Sequence, residues 1–133
     1  MRVSTPGLDK SYEANADLSA SQWCAVVPTA GPAGGVQARV ALSGSNARAI
    51  GILQNKPSAA GLAAVIRLSG TSKMKVDGNA SAIAAGDPLK SNGSGLGVKA
   101  ATDKDKVLAI AMEPSTVAND IIEVLLAPYD LAV

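Results

Sequence analysis

Asn92-Gly93-Ser94-Gly95-Leu96-Gly97 is a glycine-rich run of the kind that can cradle a phosphate. A dinucleotide loop of this type needs a strand before it, a helix after it and an acid about 20 residues on. The following Val98-Lys99-Ala100-Ala101-Thr102-Asp103 has no convincing helical period, and the Gly-Lys-Ser/Thr of a P-loop is absent. The run reads instead as a hairpin turn, because Asn92 and Gly93 both tolerate positive φ. Asp103-Lys104-Asp105-Lys106 sets two carboxylates close together. A calcium loop would need a further acid or amide, a Gly and a closing Glu at fixed positions, so a solvated loop is expected. Asp87 and Glu113 are scattered acids whose spacing supports no glycoside chemistry. Cys24 lies between Trp23 and Ala25 in an apolar stretch, which predicts a buried, inert thiol.

Lys73-Met74-Lys75-Val76 resembles the Met-Lys-Met signature of biotin-carrier domains, which are small flattened β-barrels. That resemblance implies a carrier domain with a modified lysine at Lys75, displayed on a hairpin tip. Thr71-Ser72-Lys73 stand where the signature has acidic and small residues, and the alternation around Lys75 places it inside a strand.

The residues that are missing exclude more chemistry than these runs suggest. The chain has 133 residues, no His, no Phe, one Cys, one Trp and two Tyr. No imidazole acid–base step, Ser-His-Asp triad or Cys-His pair can be built, nor a zinc site based on His or several Cys. Three aromatics and a net charge of +1 do not supply the stacking surface and basic track of a single-strand nucleic-acid reader. No catalytic, cofactor or metal residue is assigned, and the expectation is a binding or structural protein rather than an enzyme. Hydrophobic residues at 47% and charged residues at 17% describe a folded chain of one-domain size. Met1 to Ser11 has no apolar run of secretory type, and Ile121 to Ala127 is far shorter than a membrane span.

The elements that must position any site are short. Gly/Pro/Asn/Asp/Ser clusters at 28–35, 43–46, 56–61, 77–80, 86–88, 92–97 and 114–120 punctuate the chain. Val36, Ala38, Val40 and Leu42 alternate with Gln37 and Arg39, and Met74 and Val76 alternate with Lys73, Lys75 and Asp77, as half-buried strands do. Val65 to Leu68, Val107 to Met112 and Ile121 to Leu126 are continuously apolar, as strands covered on both faces are. This pattern predicts an all-β sandwich or barrel. A short helix is conceivable only around Ala80 to Ala85, where the period of two argues for extended chain.

A faint internal repeat sets Ile50-Gly51-Ile52-Leu53 over Leu108-Ala109-Ile110-Ala111, Ala60-Gly61 over Ala118-Asn119, and Ile66 and Leu68 over Val124 and Leu126. A pair of pseudo-symmetric hairpins would explain it, and so would chance similarity between apolar strands. Charge is divided too. Arg39, Arg48, Lys56, Arg67, Lys73, Lys75, Lys90 and Lys99 meet only Asp77 and Asp87 over 39–99, whereas 107–133 carries only the acids Glu113, Asp120, Glu123 and Asp130. Cross-strand pairing would absorb this division. An oriented protein–protein surface is the alternative.

Taken in order, Gly51-Ile52-Leu53, Ala60-Gly61, Val65 to Gly70, Ile83 to Lys90 with Gly93, Ala109 to Ala111, Asn119-Asp120 and Ile122 to Pro128 resemble the capsid cement (head decoration) proteins of tailed phages. Asn119 departs from an expected Gly, but Asn tolerates the same positive φ. The resemblance covers about Tyr12 to Pro128. It implies a small β-barrel or β-tulip-like domain of short antiparallel strands, with an extended N-terminal arm and at most one short helix. The implied division is an arm at 1–11, a barrel at 12–128 and a tail at 129–133. It further implies a virion protein, made in the host cytoplasm, that binds the outer capsid surface as a homotrimer. Its partner would be the major capsid protein, with no nucleic acid, membrane or cofactor. The candidate capsid contacts are Met1, Arg2, Val3, Ser4, Thr5, Pro6, Gly7 and Leu8 of the arm, with Tyr12 as an aromatic anchor. A tail or spike accessory is the further alternative.

Overall fold

A computed structural model describes residues 7–30 and 38–133. Met1, Arg2, Val3, Ser4, Thr5 and Pro6 of the expected arm lie outside the described residues, as do Val36 and Gln37. The described chain is all-β and contains no helix. Its strands are β1 (Asp9–Ala14), β2 (Ala25–Thr29), β3 (Arg39–Leu42), β4 (Gly51–Leu53), β5 (Ala63–Arg67), β6 (Thr71–Asp77), β7 (Pro88–Ser91), β8 (Gly97–Lys99), β9 (Lys106–Ala111) and β10 (Ala118–Asp130).

These strands close two rings, ordered β1-β3-β2-β4-β5 and β6-β8-β7-β9-β10. In each ring the first and third strands run parallel and every other neighbouring pair is antiparallel. Closure leaves neither sheet with a free edge. The registers also match. Ile52 pairs with Arg67 and Leu53 with Ile66 in the first ring. Ile110 pairs with Leu125 and Ala111 with Val124 in the second, 58 positions on (52 to 110, 67 to 125). Ala25 opposite Ile52 corresponds to Pro88 opposite Ile110. Ala14 opposite Val40 corresponds to Val76 opposite Gly97. The faint repeat is therefore a repeat of structure: one five-stranded barrel occurs twice in tandem. Gly61 and Asn119, matched in that repeat, both take positive φ, 87° and 59°.

Alternation decides which side chains enter each barrel. Ala14, Val26, Val40, Leu53, Ala64 and Ile66 fill the first. Their structural counterparts Val76, Leu89, Ala111, Ile122 and Val124 fill the second, together with Met74. Gly97 takes the place of Val40: a Cβ there would meet Met74 Cε and Val76 Cγ1, both at 3.0 Å. The bulk that Val40 supplies beside Ala14 is thus supplied from the opposite strand by Val76 beside Gly97.

The barrels are fused rather than strung together. Ala25, Ala49 and Ile52 of the first half belong to the buried cluster of the second. The N–H of Ala25 donates to the Gly95 carbonyl (2.9 Å), and Gln54 Nε2 donates to Ser72 Oγ (3.0 Å). Arg48 reaches the Val107 carbonyl at 3.2 Å and pairs with Asp130.

The strand and hairpin expectations around 92–97 need one adjustment. β7 and β8 form an antiparallel hairpin, but Gly95, not Asn92 or Gly93, takes the positive φ (74°). Asn92 instead organises the turn, its Oδ1 accepting from the N–H groups of Ser94 and Leu96. Ala80 to Ala85 is turn and bend around an isolated bridge between Ile83 and Ser115.

Candidate interaction surface

The described part of the expected contact set lies along β1. Leu8 continues the pairing beyond β5: the Leu68 N–H donates to the Leu8 carbonyl at 2.8 Å, and the Leu8 N–H donates to Ser69 Oγ at 2.9 Å. Gly7 sits so close to Ser69 that a Cβ would meet its backbone carbon at 2.6 Å. The Leu8 side chain is exposed. Asp9 to Ser11, expected in the arm, are paired in β1 with Arg67 to Val65 of β5, and Asp9 holds Arg67 through two hydrogen bonds of 2.8 and 3.1 Å. Sequence reasoning missed β1 because only its last residue, Ala14, is buried, so no alternation of hydrophobic residues marks it.

Tyr12 is half-buried against the first barrel's core, with Lys10 Nζ 5.4 Å from its ring centre. It also lines a groove of about 330 Å³ with Lys10, Glu13, Ala38, Gly61 and Ala63. Gly7, Leu8 and Tyr12 thus share one strand and its lead-in, but Tyr12 is part core and only part surface.

Trp23 is a half-buried residue at the junction of the two barrels. Its N–H donates to the Leu53 carbonyl (2.8 Å), and its own carbonyl accepts from Lys75 of β6 (2.8 Å). It takes φ of 70°, a left-handed conformation that costs an L-residue about 1–2 kcal/mol. The structurally equivalent residue in the second barrel is Gly86, at φ 92°, whose N–H donates in the same way to Ala111. Lys73 Nζ stands 5.6 Å from the indole centre. Beside the indole is a second groove of about 330 Å³, lined by Ser19, Gln22, Lys56, Lys75 and Ile121.

Other chemical candidates resolve into structure. Lys75 lies in mid-strand in β6, half-buried, with its neighbours Met74 and Val76 in the core, so it is not on a hairpin tip. Cys24 is buried; burial pushes its thiol pKa up, opposed in part by the positive charge of Lys75. Asp105 corrects the solvated-loop expectation for 103–106. It is buried, and its Oδ2 accepts from the N–H groups of Ala101 and Thr102 and from Lys90 at 3.0 Å. Burial works to raise its pKa, but those hydrogen bonds and the Lys90 charge together hold it below the ordinary carboxylate value. Among the described residues no three His, Cys, Asp or Glu side chains are grouped to hold a metal ion.

Among the described residues, five of the eight basic side chains of 39–99 are in ion pairs, but only Arg48 meets an acid of 107–133. Glu13 meets Arg39, Asp9 meets Arg67, Asp105 meets Lys90, Asp87 meets Lys99, and Asp130 meets Arg48 and Lys106. Lys56, Lys73 and Lys75 are in no ion pair among the described residues. The exposed large hydrophobics Val117, Ile121, Leu125 and Tyr129 lie on or just before β10, and Met112 directly follows β9.

The fold is a tandem pair of closed five-stranded barrels with one strand order. No protein-family model matches the chain, and no curated protein matches it in sequence. Among solved structures, it is similar to the N base of head fiber gp8.5 in bacteriophage phi29, with a TM-score of 0.71 and 12% identity, covering 95% of this chain and 98% of that one. At that identity the likeness is one of fold.

Proposed function

We propose that this chain is a structural protein of a phage virion that binds the outside of the assembled head and bridges neighbouring major capsid subunits. The observation that carries the reading is the match of both barrels, over almost the whole of both chains, to a protein described as part of a phage head. The chemistry of the surface agrees with a binder: its grooves carry lysines, a tyrosine and a tryptophan, and the buried Asp105 is held by the backbone of its own loop. Contact is made by the arm, Met1 to Leu8, with Tyr12 at its root. Many copies on a symmetric shell let each contact be weak, and a homotrimer over a three-fold position would multiply it again. Such a protein needs neither a cofactor nor catalysis.

Mixing the purified protein with bare expanded heads tests this. Cosedimentation and a raised head melting temperature are expected. If the protein stays in the supernatant and the melting is unchanged, the reading fails. The neighbour's description as the base of a head fiber favours a second reading, a capsid-bound base that anchors another part. A reconstruction of the particle separates the two, since a cement lies across subunit boundaries and a base holds a projecting part.

A further inference from the structure

The groove beside Trp23 has three properties that packing alone does not explain. First, the backbone at Trp23 is left-handed at a position where the other barrel uses Gly86. Each residue donates its N–H to the equivalent strand, Trp23 to Leu53 and Gly86 to Ala111, and glycine makes that bond without the cost of a left-handed L-residue. Conformations of this sort persist where another requirement holds them, and they concentrate at functional sites. Second, Lys56 and Lys75 line the groove with no carboxylate partner among the described residues, whereas Arg39, Arg48, Arg67, Lys90, Lys99 and Lys106 are each paired. Third, Lys73 approaches the indole ring, so that positive charge surrounds the aromatic group.

From these we infer that the Trp23 groove is a binding site for an acidic polypeptide segment of a partner protein. Lys56 and Lys75 meet its carboxylates, and the indole with Ile121 covers its aliphatic carbons. Tryptophan is well suited to anchor an interface, giving a large contact area for few rotatable bonds. The groove, about 330 Å³, holds a short stretch of side chains and not an extended backbone track. With one indole, already approached by Lys73, it offers no succession of open aromatic faces for bases to stack on. The inference stands apart from the capsid reading, since it rests on this groove alone.

Trp23 is the single tryptophan of the chain, so its fluorescence reports on this groove and nothing else. The full chain is titrated with a short acetylated peptide of alternating Glu and Asp, and in parallel with the Gln/Asn version and with a short thymidine oligonucleotide. A saturable change in Trp23 emission is expected with the acidic peptide only, weakening as salt is raised. In Lys56→Gln/Lys75→Gln the affinity should fall at least tenfold, with the far-ultraviolet spectrum unchanged. Trp23→Gly, followed by calorimetry, should lose the peptide and keep the wild-type melting temperature or exceed it. No saturable response, a response that survives in the lysine double variant, or equal binding of the oligonucleotide would overturn the inference.

Discussion

Asp105 shows how a residue that reads as surface becomes structural. The short Asp-Lys-Asp-Lys run has the composition of a solvated loop, yet one of its carboxylates turns inward and caps two N–H groups and an ammonium. Hydrogen bonds to an ionised group contribute about 1.5–3 kcal/mol each way of counting, more than neutral ones. Asp105→Asn should therefore destabilise the fold by about 1–3 kcal/mol at neutral pH. The folded pKa lies below the unfolded one, so this stability is fully present above the ordinary carboxylate pKa. It is lost as pH falls through the depressed folded value. Thermal melting from neutral to strongly acidic pH should show the wild type and Asp105→Asn converging at the acid end. A constant gap would mean that the carboxylate charge is irrelevant. Nothing in the local sequence distinguishes Asp105 from Asp103, because the groups that receive it, above all Lys90 on β7, come from elsewhere in the chain.

The paired strands β1–β3 and β6–β8 solve one packing problem in two ways. Ala14 faces Val40 in one barrel and Val76 faces Gly97 in the other. Gly97→Val should cost about 1–3 kcal/mol through overpacking against Met74 and Val76. Adding Val76→Ala, which copies the first barrel, should recover part of that loss. Chemical denaturation of the two single variants and the double variant measures the coupling, and strict additivity would sink the argument. At the same scale, deleting Met1 to Leu8 removes the hydrogen bonds of the Leu8 backbone with the Leu68 N–H and the Ser69 hydroxyl, each about 1 kcal/mol. Both rings remain closed, so the variant should fold while capsid occupancy falls; unchanged occupancy would remove the arm from the account. Strands with an alternating or continuous apolar pattern, such as β6, β9 and the centre of β10, were legible in the sequence. β1 was not, since it is paired along its length but buries only Ala14 fully, so its exposed start carries polar residues and no apolar alternation.

At the scale of the molecule, Ile52 decides whether two barrels behave as one body. It is a β4 residue of the first ring, fully buried in the cluster of the second. Ile52→Ala should cost about 2–5 kcal/mol. Calorimetry should show one transition in the wild type, shifted down as a whole in the variant. Two resolved transitions in the wild type would show that the barrels melt independently.

The sequence by itself determined the class of the fold: an all-β chain of short strands, a hairpin at 92–97, and a lack of imidazole and of multiple cysteines, while it left the repeat open between paired hairpins and chance. These are local or compositional properties, set by backbone preference, alternation and the functional groups a chain possesses. Tertiary structure alone decided that the repeat is two closed rings, that Ala25, Ala49 and Ile52 join them, and that Trp23 shares a groove with Lys56 and Lys75. Ring closure and the meeting of residues 23, 56, 75 and 121 depend on pairings between distant strands. Such pairings are chosen by the total burial and hydrogen bonding of the folded chain, and no single segment carries them.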